Sequence, residues 1–510
     1  MFLVIDNKNG VKYARYVKSK RVDGKVRQES RNIGRVLDEA RRIFSSRERG
    51  VFTFDPATGQ FGTAPADFVP VLPRGRGHEQ LLLDFGDAFI VTEFLERNGL
   101  MAAAEAIGYG NPDTLKAMLL YYILCSTANC HASGWWEGSY ARILFPQADL
   151  RSQRVSDFLA AIGDEYSQRE FFGKYLGLLK AKEKELGNIL IDSTGMPNSV
   201  HFPLTAISNH NGEISSEVRL VYVIHQETGL PIYFRYCPGN VIDVSTLGRT
   251  IEELKQMGVN TKFSVMDAGY YDNENLGLLF ENGISFIMRL RENFRLYREL
   301  VAAHRDSLAE KPNLVQYNDR YVYIKCVECL PDGKHHAYAY IGLDVSRRND
   351  EAGKLFKRAR KCSMTTGDVH DAMATQGMFI IVSSRRIARD RILPAYYSRQ
   401  QIEQVFDIGK NYADFLPVRV QTEEAFRGHL LLTFMAAVAV KLIQDKLKDS
   451  PYNPISMLLN MRNQKCKVYE NAVIPQEAYK KANDCYKLLG IECPVKINRA
   501  APKDKDVICK

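Results

Sequence analysis

The sequence lacks the features that mark secreted, membrane-spanning and repetitive proteins. Its first ten residues, MFLVIDNKNG, contain Asp6 and Lys8 and therefore form no apolar signal core. The longest apolar stretch near the C-terminus lies between His429 and Lys441, which is too short to span a bilayer. No internal repeat is visible. A hydrophobic content of 45% with 25% charged residues is typical of a soluble globular chain, which we expect in the cytoplasm without a membrane partner.

The ten cysteines are scattered, without the dense spacing of a disulfide-stabilised protein. We expect them to be reduced thiols. One group, Cys326, Cys329, His335 and His336, has a spacing that zinc could use. Residues three apart on a strand point to opposite faces of a sheet, however, and this geometry disfavours a shared zinc ion.

Positive charge is concentrated at the start of the chain. Residues 1–50 contain 14 Lys and Arg against 6 Asp and Glu, a balance of +8 in a chain whose formal net charge is +9. Such a basic block is typical of a module that approaches a polyanion, although a solvated surface hairpin would have the same composition. We expect the block to contact nucleic acid.

The N-terminal third is predicted to contain a basic hairpin followed by helices. Two strands flank Asp23-Gly24, a two-residue turn, and VLDEARRIFSSRERG then has a helical pattern. Residues 55–78 are rich in Gly and Pro and indicate a linker. From about 80 to 185 the apolar spacing is helical. Within it, GLMAAAEAIGYGNPDTLKAMLL has the form of a helix-turn-helix, and an ordinary helical hairpin fits it equally well.

At residue 188 the pattern changes to that of an α/β domain. Three short apolar strands come first, followed by helix, strand, helix and strand. This order predicts a mixed sheet whose later strands are joined by helical crossovers. The segment 294–376 resembles an insertion rather than part of this sheet. The strand GMFIIVSS and two helices, about 395–413 and 422–447, complete the domain.

Two carboxylates lie at the ends of apolar strands in this domain. Asp192 is in ILIDSTG and Asp267 in FSVMDAG, and each is followed within three residues by Gly. Sites in open α/β sheets form at the carboxyl ends of strands, and an ionised Asp at a buried strand end needs a partner. Either Asp alone fits a turn or cap. Together they indicate a shared cation, and oxygen ligands favour Mg²⁺ or Mn²⁺.

Glu403 is the candidate third ligand. On an ideal helix over 396–410, one stripe about 60° wide would hold Tyr396, Arg399, Glu403 and Lys410. A separate apolar face would hold Ile402, Val405 and Phe406. The axial rise keeps the cations too far apart to meet one metal ion, so only the carboxylate would ligate it and the cations would follow DNA phosphates. A salt-bridged surface helix is the other interpretation. The stripe requires a helix that begins before Ser398.

The pattern Tyr396-x2-Arg399-x3-Glu403-x6-Lys410 resembles the signature of the DDE transposases of the insertion-sequence-four group. LIDSTG and VMDAGYYDNENL resemble the segments that carry the two Asp residues of that family, and PGNVIDVSTL and RGHLLLTFMAAVAV resemble further motifs. KSKRVDGKVRQESRNIG resembles a subgroup with a basic N-terminal hairpin. The resemblance covers nearly the whole chain and is strongest over 188–293 and 377–445.

The resemblance implies an RNase H-like mixed-sheet catalytic domain that is interrupted by a β-rich insertion and preceded by DNA-binding segments. Asp192, Asp267 and Glu403 would hold two divalent ions, Mg²⁺ or Mn²⁺. Tyr396, Arg399 and Lys410 would bind the DNA backbone near the cleaved phosphate. The implied boundaries are 1–54 for a basic hairpin and helix, 55–79 for a linker, 80–185 for a helical DNA-binding region, 186–293 and 377–450 for the catalytic core, 294–376 for the insertion, and 451–510 for a C-terminal tail that could support dimerisation.

The resemblance also implies a function and partners. Family members bind terminal inverted repeats, cut there and join the ends to target DNA, so double-stranded DNA is the expected partner. A homodimer is expected because two ends must be paired, and the prokaryotic nucleoid is the expected location. Some members hold a flipped base against an aromatic of the insertion, which here contains no Trp. Four tyrosines could take that place: Tyr321, Tyr323, Tyr338 and Tyr340.

Three functions fit these observations. The first is an active cut-and-paste transposase, which the presence of all three carboxylates favours. The second is a DNA-binding protein of transposase descent that no longer catalyses. The third is another endonuclease with the same fold.

Overall fold

The computed structural model describes residues 2–8, 11–22, 25–46, 49–65, 68, 81–183, 185–197, 204–208, 214–362, 364–411 and 420–499. Contacts divide the chain into two compact units. The first unit comprises Met1–Leu81, Val468–Ala472 and Asn498–Lys510. The second comprises Leu82–Lys467 and Val473–Ile497.

The first unit contains a six-stranded antiparallel sheet in chain order. Its strands are Phe2–Lys8, Val11–Val22, Lys25–Asp38, Ile43–Ser46, Gly50–Asp55 and Gln60–Thr63. One face buries Ala14, Ile33, Phe44, Phe52 and Phe54. The predicted basic hairpin is confirmed as the second and third strands, and its turn at Asp23-Gly24 lies outside the described residues.

The predicted helix over VLDEARRIFSSRERG is wrong. Ile43–Ser46 is a strand that pairs with the strands on either side of it. Ile43 and Phe44 are 0% and 1% exposed, and the Phe44 ring joins the core formed with Phe52 and Phe54 of the next strand. The linker was also predicted to begin too early, because the chain from residue 50 to residue 63 forms a hairpin that turns at Gly59, with φ 73°.

The predicted helical region opens the second unit. Its α-helices are Gly86–Asn98, Leu100–Glu105, Pro112–Leu124, Ala132–Gly138, Ala141–Leu144, Ser152–Ile162 and Glu165–Lys182. Pro112–Leu124 buries every residue from Ala117 to Leu124. A recognition helix needs an exposed face for the major groove. The ordinary helical hairpin is therefore the correct interpretation of GLMAAAEAIGYGNPDTLKAMLL.

The predicted mixed sheet is confirmed as a central sheet of ten strands. Along its main path the strands lie in the order Pro231–Pro238, Ser215–His225, Asn188–Pro197, Phe263–Met266, Ser285–Arg289, Met378–Ser383, Ala337–Asp344, Arg320–Cys329 and Leu314–Tyr317. The first three are antiparallel. The next two are parallel to Asn188–Pro197 and follow the helices Leu247–Gln256 and Asn273–Glu281. Ala206–Ser208 adds a tenth strand beside Ser215–His225.

The segment 294–376 was expected to lie apart from this sheet, and that expectation is wrong. Its strand Ala337–Asp344 pairs antiparallel with Met378–Ser383 and extends the central sheet. Met378–Ser383 is buried along its whole length, so its second edge needs a protein partner for its backbone groups. The segment also contains helices, so it is not purely β: they are Arg295–His304, Val345–Lys361 and Thr366–Met373.

The helix Glu423–Leu447 packs in the centre of the second unit. It is 25 residues long and, by length and composition, apolar enough to cross a membrane, which corrects the estimate made from the run between His429 and Lys441. Within the described residues it is the one helix that passes this test, and 89% of its most apolar window is buried inside the protein. It contacts the helices Ser152–Ile162, Pro112–Leu124 and Gln400–Asn411, and a helix that is apolar all round is typical of a core position.

The C-terminal segment is folded rather than an extended tail. It contains the helices Pro454–Arg462 and Lys480–Leu489, which bury Met457, Met461 and Cys485. Four further short strands are Leu81–Asp84, Lys465–Val468, Ala472–Pro475 and Ile497–Asn498. Residues 500–510 lie outside the described part. Nothing in this segment tests the expected role in dimerisation.

Candidate active site

The register of two parallel strands brings Asp192 and Asp267 together. Met266 pairs with Ile191, so the residues that follow them, Asp267 and Asp192, are neighbours where Phe263–Met266 ends. Asp267 is the first residue after its strand, as predicted. The prediction that Asp192 also ends its strand is wrong, because Asp192 lies within Asn188–Pro197, opposite Tyr222. The carboxyl ends of parallel strands meet at one edge of a sheet. The sequence prediction that these two carboxylates share a site is consistent with this arrangement.

The stretch that carries Tyr396 and Glu403 forms two helices, not the single helix on which the predicted stripe depended. They are Arg389–Tyr397 and Gln400–Asn411. Pro394 lies inside the first helix, and the Ser398 hydroxyl donates to the Ala395 carbonyl at 2.7 Å. Tyr396 therefore belongs to a different helix from Glu403. Its hydroxyl nevertheless donates to Asp267 Oδ1 at 3.2 Å.

The apolar face predicted for the Glu403 helix is confirmed. Ile402, Val405 and Phe406 are 0%, 1% and 7% exposed. The Phe406 ring meets Tyr222, on the strand next to that of Asp192, edge to face at 5.5 Å. This packing fixes the rotation of the helix, so that the Glu403 side chain, 57% exposed, faces away from the core.

Arg399, at the junction of the two helices, joins the three carboxylates. Its Nη1 lies 2.5 Å from Asp192 Oδ2. Its Nη2 lies 3.7 Å from Asp267 Oδ1 and 3.7 Å from Glu403 Oε1. The Arg399–Glu403 pair of the surface-helix interpretation thus exists, but the shortest contact of the guanidinium is with Asp192. Three negative charges converge on one positive charge in this arrangement.

Burial and charge set the protonation of these groups. Burial is the main cause that raises the pKa of Asp192 to about 6; Arg399 and the Ser193 amide oppose the rise, and the nearby Asp267 and Asp243 add to it. Burial lowers the pKa of Arg399, but Asp192 and Asp267 outweigh it and the pKa is raised overall, so Arg399 stays charged. Burial also raises the pKa of Tyr396, which remains a hydroxyl donor.

The three carboxylates do not form a metal-ligand group in this structure. Among the described residues, no three His, Cys, Asp or Glu side chains are grouped closely enough to hold a metal ion. The physical reason is the guanidinium, which already neutralises Asp192 and lies within 3.7 Å of the other two carboxylates. The donor set itself fits a hard divalent cation, because it consists of three carboxylates that already face one positive charge.

The remaining sequence candidates have mixed outcomes. Lys410 belongs to the helix Gln400–Asn411, and its side chain lies outside the described residues. Of the four strand tyrosines, Tyr340 is fully buried and donates to the Ile387 carbonyl at 2.7 Å, whereas Tyr321 is 58% exposed. The zinc site that the sequence disfavoured, Cys326, Cys329, His335 and His336, does not form a metal-ligand group among the described residues. His335 instead bonds Asp332 at 2.6 Å and stacks on Phe280. All nine described cysteines are free thiols.

Sequence reasoning missed a second polar group beside Asp192. Asp243 accepts hydrogen bonds from the Ser193 hydroxyl and from Arg219 Nη1, the latter at 2.8 Å. Its side chain is 17% exposed. The signal was present in PGNVIDVSTL, where an Asp follows the strand Pro231–Pro238, which is separated from the strand of Asp192 by Ser215–His225. A role could be assigned to Asp243 only from the fold, which shows its side chain bonded to Ser193 on the strand that carries Asp192.

Comparison with known families adds to this geometry. A family model described as "Transposase DDE domain" matches residues 185–439, half of the 510 residues. The chain belongs to the transposase DDE domain family. All six predicted site residues of this DDE-domain protein lie inside the matched region: Asp192, Asp267, Tyr396, Arg399, Glu403 and Lys410.

Other comparisons are more distant. One solved structure, "Cryo-EM structure of piggyBac transposase synaptic complex with hairpin DNA (SNHP)", has a TM-score of 0.39 and 9% sequence identity. The similarity covers 79% of this chain and 79% of the other. No curated protein matches this chain.

Proposed function

We propose that this DDE-domain protein is a transposase that binds the terminal inverted repeats of its own insertion sequence. It would cut the DNA strands there and transfer the ends to target DNA, as in cut-and-paste transposition. The observation that carries the proposal is the convergence of Asp192, Asp267 and Glu403 on one cation at the carboxyl edge of a sheet. The finer assignment, to the insertion-sequence-four group with a basic N-terminal hairpin, rests on the spacing of Tyr396, Arg399, Glu403 and Lys410.

The strand order supports an RNase H-like catalytic core. Three antiparallel strands lie side by side, and two strands parallel to the third of them follow. Asp192 is on that third strand and Asp267 ends its parallel neighbour. In this proposal the strands of 294–376 are an addition to the far edge of the core, beyond Met378–Ser383.

Asp192, Asp267 and Glu403 would hold two divalent ions, Mg²⁺ or Mn²⁺. When bound, such ions polarise the scissile phosphate and lower the pKa of an attacking water or 3′-hydroxyl. The carboxylates must be ionised for this role, and the raised pKa of Asp192, about 6, is compatible with ionisation at neutral pH. Glu403 and Asp267 have exposed side chains, 57% and 42%, so DNA can approach from their side.

Arg399 would change partners when DNA binds. In the free protein its guanidinium pairs with Asp192 and lies 3.7 Å from each of the other two carboxylates. A DNA phosphate is a strong bidentate partner for arginine, and it would draw Arg399 away from Asp192. Tyr396, whose hydroxyl is protonated and points to Asp267, would donate to a neighbouring phosphate oxygen. Lys410 follows Glu403 by seven residues, about 10 Å along the helix, and would contact a phosphate further along the strand.

The proposed partners are the two transposon ends and target DNA, with a homodimer that pairs the ends in the prokaryotic nucleoid. The basic sheet of the first unit and the helical region of the second are the proposed DNA-binding segments. The N-terminal balance of +8 would supply much of the electrostatic attraction.

The function can be tested on a supercoiled plasmid that carries the ends of the element. With Mg²⁺, the wild-type protein should make nicks at the ends, and Asp192→Asn and Glu403→Gln should each lower the rate by at least about a thousandfold. Asp445→Asn is the matched control because Asp445 pairs with Lys441 in the helix Glu423–Leu447, away from the site. Cutting by Asp192→Asn at the wild-type rate would contradict the metal assignment.

The alternatives give different results in the same experiment. A DNA-binding protein of transposase descent would shift terminal-repeat DNA without metal-dependent cleavage. Another endonuclease would cut according to branch structure and not according to the sequence of the ends.

A further inference from the structure

The polar group around Asp243 lies on the opposite face of the strand from Asp192. Asp192 and Ser193 are consecutive on Asn188–Pro197, so their side chains point to opposite faces of the sheet. The Ser193 hydroxyl donates to Asp243 Oδ1. Arg219 Nη1 donates to the same oxygen at 2.8 Å. Asp243 is therefore bound directly to the residue that follows the first site carboxylate.

Asp243 also contacts the loop that follows Asp267. Gly269 is two residues beyond Asp267, and a Cβ built on it would lie 2.7 Å from Asp243 Oδ2. Only glycine allows this close approach. The loop is held from its other side by Arg291, whose Nε donates to the Ala268 carbonyl at 2.6 Å and whose Nη2 donates to the Gly269 carbonyl. The Asp243 carboxylate thus contacts both the strand that carries Asp192 and the loop that follows Asp267.

Buried groups fix the position of Asp243 itself. Arg219 is 5% exposed and also faces Glu217, with Nη2 at 3.9 Å from Oε1. The backbone around Asp243 is tied to the Asp267 loop, because Asn275 Nδ2 donates to the carbonyls of Val244 and Tyr270 at 2.9 and 3.0 Å. An anchored carboxylate that touches two segments acts as a spacer between them.

We propose that Asp243 is a positioning residue, which holds the strand that carries Asp192 and the strand end at Asp267 at a fixed separation. The inference rests on the proposed function for its catalytic consequence, but the contacts exist in the protein without DNA or metal. Two like charges at one sheet edge repel each other, and a site that works on phosphate tolerates displacements of only about 0.5 Å. Asp243, hydrogen-bonded to Ser193 and joined through Val244 and Asn275 to the Asp267 loop, opposes that displacement from the face opposite Asp192.

Hydrogen exchange on the full-length protein, without DNA or metal, tests the spacer role. We expect Asp243→Ala to increase the exchange rate at least about tenfold in peptides covering 193–197 and 268–271. Asp243→Asn keeps an acceptor for Ser193 and Arg219 and should stay within about threefold of wild type. Asp272→Ala is the matched control, since Asp272 caps the helix Asn273–Glu281 next to the same loop but does not contact Asp243. Unchanged exchange in both peptides of Asp243→Ala would overturn the proposal.

The catalytic consequence is tested by cleavage of DNA that carries the ends. Partners that orient metal ligands typically contribute about 10–100-fold to activity, so Asp243→Ala should lower kcat by that factor while the Kd for end DNA stays unchanged. Asp243→Asn should recover most of the rate. A merely structural defect would not produce this split between kcat and Kd, and wild-type kcat in Asp243→Ala would overturn the role.

A second variant, Ser193→Ala, covers the case in which Asp243→Ala does not fold. If Asp243→Ala does not fold, Ser193→Ala removes only the link to the Asp192 strand. It should increase exchange in 193–197 and not in 268–271, and unchanged exchange in both peptides would overturn the proposal. If the wild-type protein does not cut DNA at all, the proposed function fails, whereas the exchange measurement still decides the role of Asp243.

Discussion

Arg399 places one positive charge among three carboxylates that would otherwise repel one another more strongly at the edge of the central sheet. Its closest partner, Asp192, has a side chain only 14% exposed, and an ionised carboxylate at such a depth needs a cation. The protein supplies that cation from its own chain, 207 residues away. Arg399 thus supplies a positive partner for Asp192 from the protein itself, and in the proposed function it would move away when metal ions bind.

Replacing Arg399 should therefore weaken the free protein. Removing one member of a buried ion pair typically costs about 3–5 kcal/mol, and the partial exposure of this pair reduces the expected loss for Arg399→Gln to about 2 kcal/mol. Saturating Mg²⁺ should restore part of that stability in the variant, because the carboxylates regain a positive partner. Urea unfolding at pH 7.5 with and without Mg²⁺ measures both effects.

Arg427→Gln is the control for Arg399→Gln. Arg427 pairs with Glu423 four residues away on one helix, and both side chains are more exposed than those of the Arg399–Asp192 pair. Its loss should cost no more than about 1 kcal/mol and should not respond to Mg²⁺. Equal losses in the two variants, with no response to Mg²⁺ in either, would show that Arg399 does not hold the carboxylates together.

His429 gives the protein a pH dependence remote from the active site. Its ring is buried on the helix Glu423–Leu447, Nδ1 lies 2.8 Å from the Tyr122 hydroxyl, and Nε2 has no partner among the described residues. Burial lowers the pKa of His429 to about 4. The unfolded chain, with a histidine pKa of about 6.5, therefore binds more protons than the folded protein between pH 6.5 and pH 4, and stability falls as the pH drops through this window.

The expected size of this effect is about 2 kcal/mol lost between pH 7 and pH 5, from a pKa difference of roughly 2.5 units. His429→Gln should remove that part of the pH dependence, and His370→Gln, at an exposed position, should leave it in place. Urea unfolding of the three proteins at the two pH values checks it. An unchanged pH dependence in His429→Gln would contradict the assignment.

At the scale of elements, local periodicity predicted well what local contacts decide. The apolar face of the Glu403 helix follows from the 3.6-residue period of Ile402, Val405 and Phe406. The neighbourhood of Asp192 and Asp267 follows from parallel strand ends. Both inferences need only short segments and the general geometry of an α/β sheet.

Elements that depend on distant partners were predicted poorly. The strand Ile43–Ser46 is short, and its spacing of apolar residues also fits a helix, so only its pairing with both neighbours decides its form. The strands of 294–376 looked separate because their partner, Met378–Ser383, follows them after two helices. The break at Ser398 and the pairing of Arg399 with Asp192 also depend on contacts that sequence spacing does not contain.

The helices Glu423–Leu447 and Ser152–Ile162 approach each other closely at two glycines. A Cβ on Gly428 would lie 2.0 Å from the Leu159 carbonyl oxygen, and one on Gly163 would lie 2.0 Å from the Glu424 carbonyl oxygen. The helices Glu423–Leu447 and Ser152–Ile162 therefore pack backbone to backbone. Gly428→Ala should force them apart and cost about 3 kcal/mol, at the upper end of overpacking penalties, as measured by urea unfolding.

Gly173 provides the matched control for Gly428→Ala. It lies in the helix Glu165–Lys182, and a Cβ there would meet no heavy atom within 4 Å. Gly173→Ala should stabilise the protein by up to about 1 kcal/mol, because alanine has the higher helix propensity. A tolerated alanine at 428, with stability equal to wild type, would mean that the two helices do not approach so closely.

At the scale of the whole molecule, charge and chemistry lie in different units. The basic N-terminal block falls within Met1–Leu81, whereas every predicted site residue lies in Leu82–Lys467. In the proposed function, a separation of this kind would let one unit contribute affinity for DNA while the other cuts it. The two contributions should then respond to different substitutions, affinity to changes of charge in the first unit and turnover to changes at Asp192, Asp267 or Glu403.

A double variant in the basic hairpin tests this division of roles. Lys18 and Arg21 lie on the strand Val11–Val22, and Arg21 is exposed. Each phosphate contact contributes about 0.9 to the slope of log K against log salt concentration. Lys18→Gln with Arg21→Gln should therefore weaken binding of end DNA and make that slope shallower by about 1 to 2, while kcat at saturating DNA stays unchanged.

Lys480→Gln with Lys481→Gln removes the same charge from an exposed helix of the second unit and should change neither the affinity nor the slope. A surface that contacts the phosphates directly must be more sensitive to its own lysines and arginines than to those elsewhere. Equal losses of affinity in the two double variants would therefore show that binding depends on net charge alone.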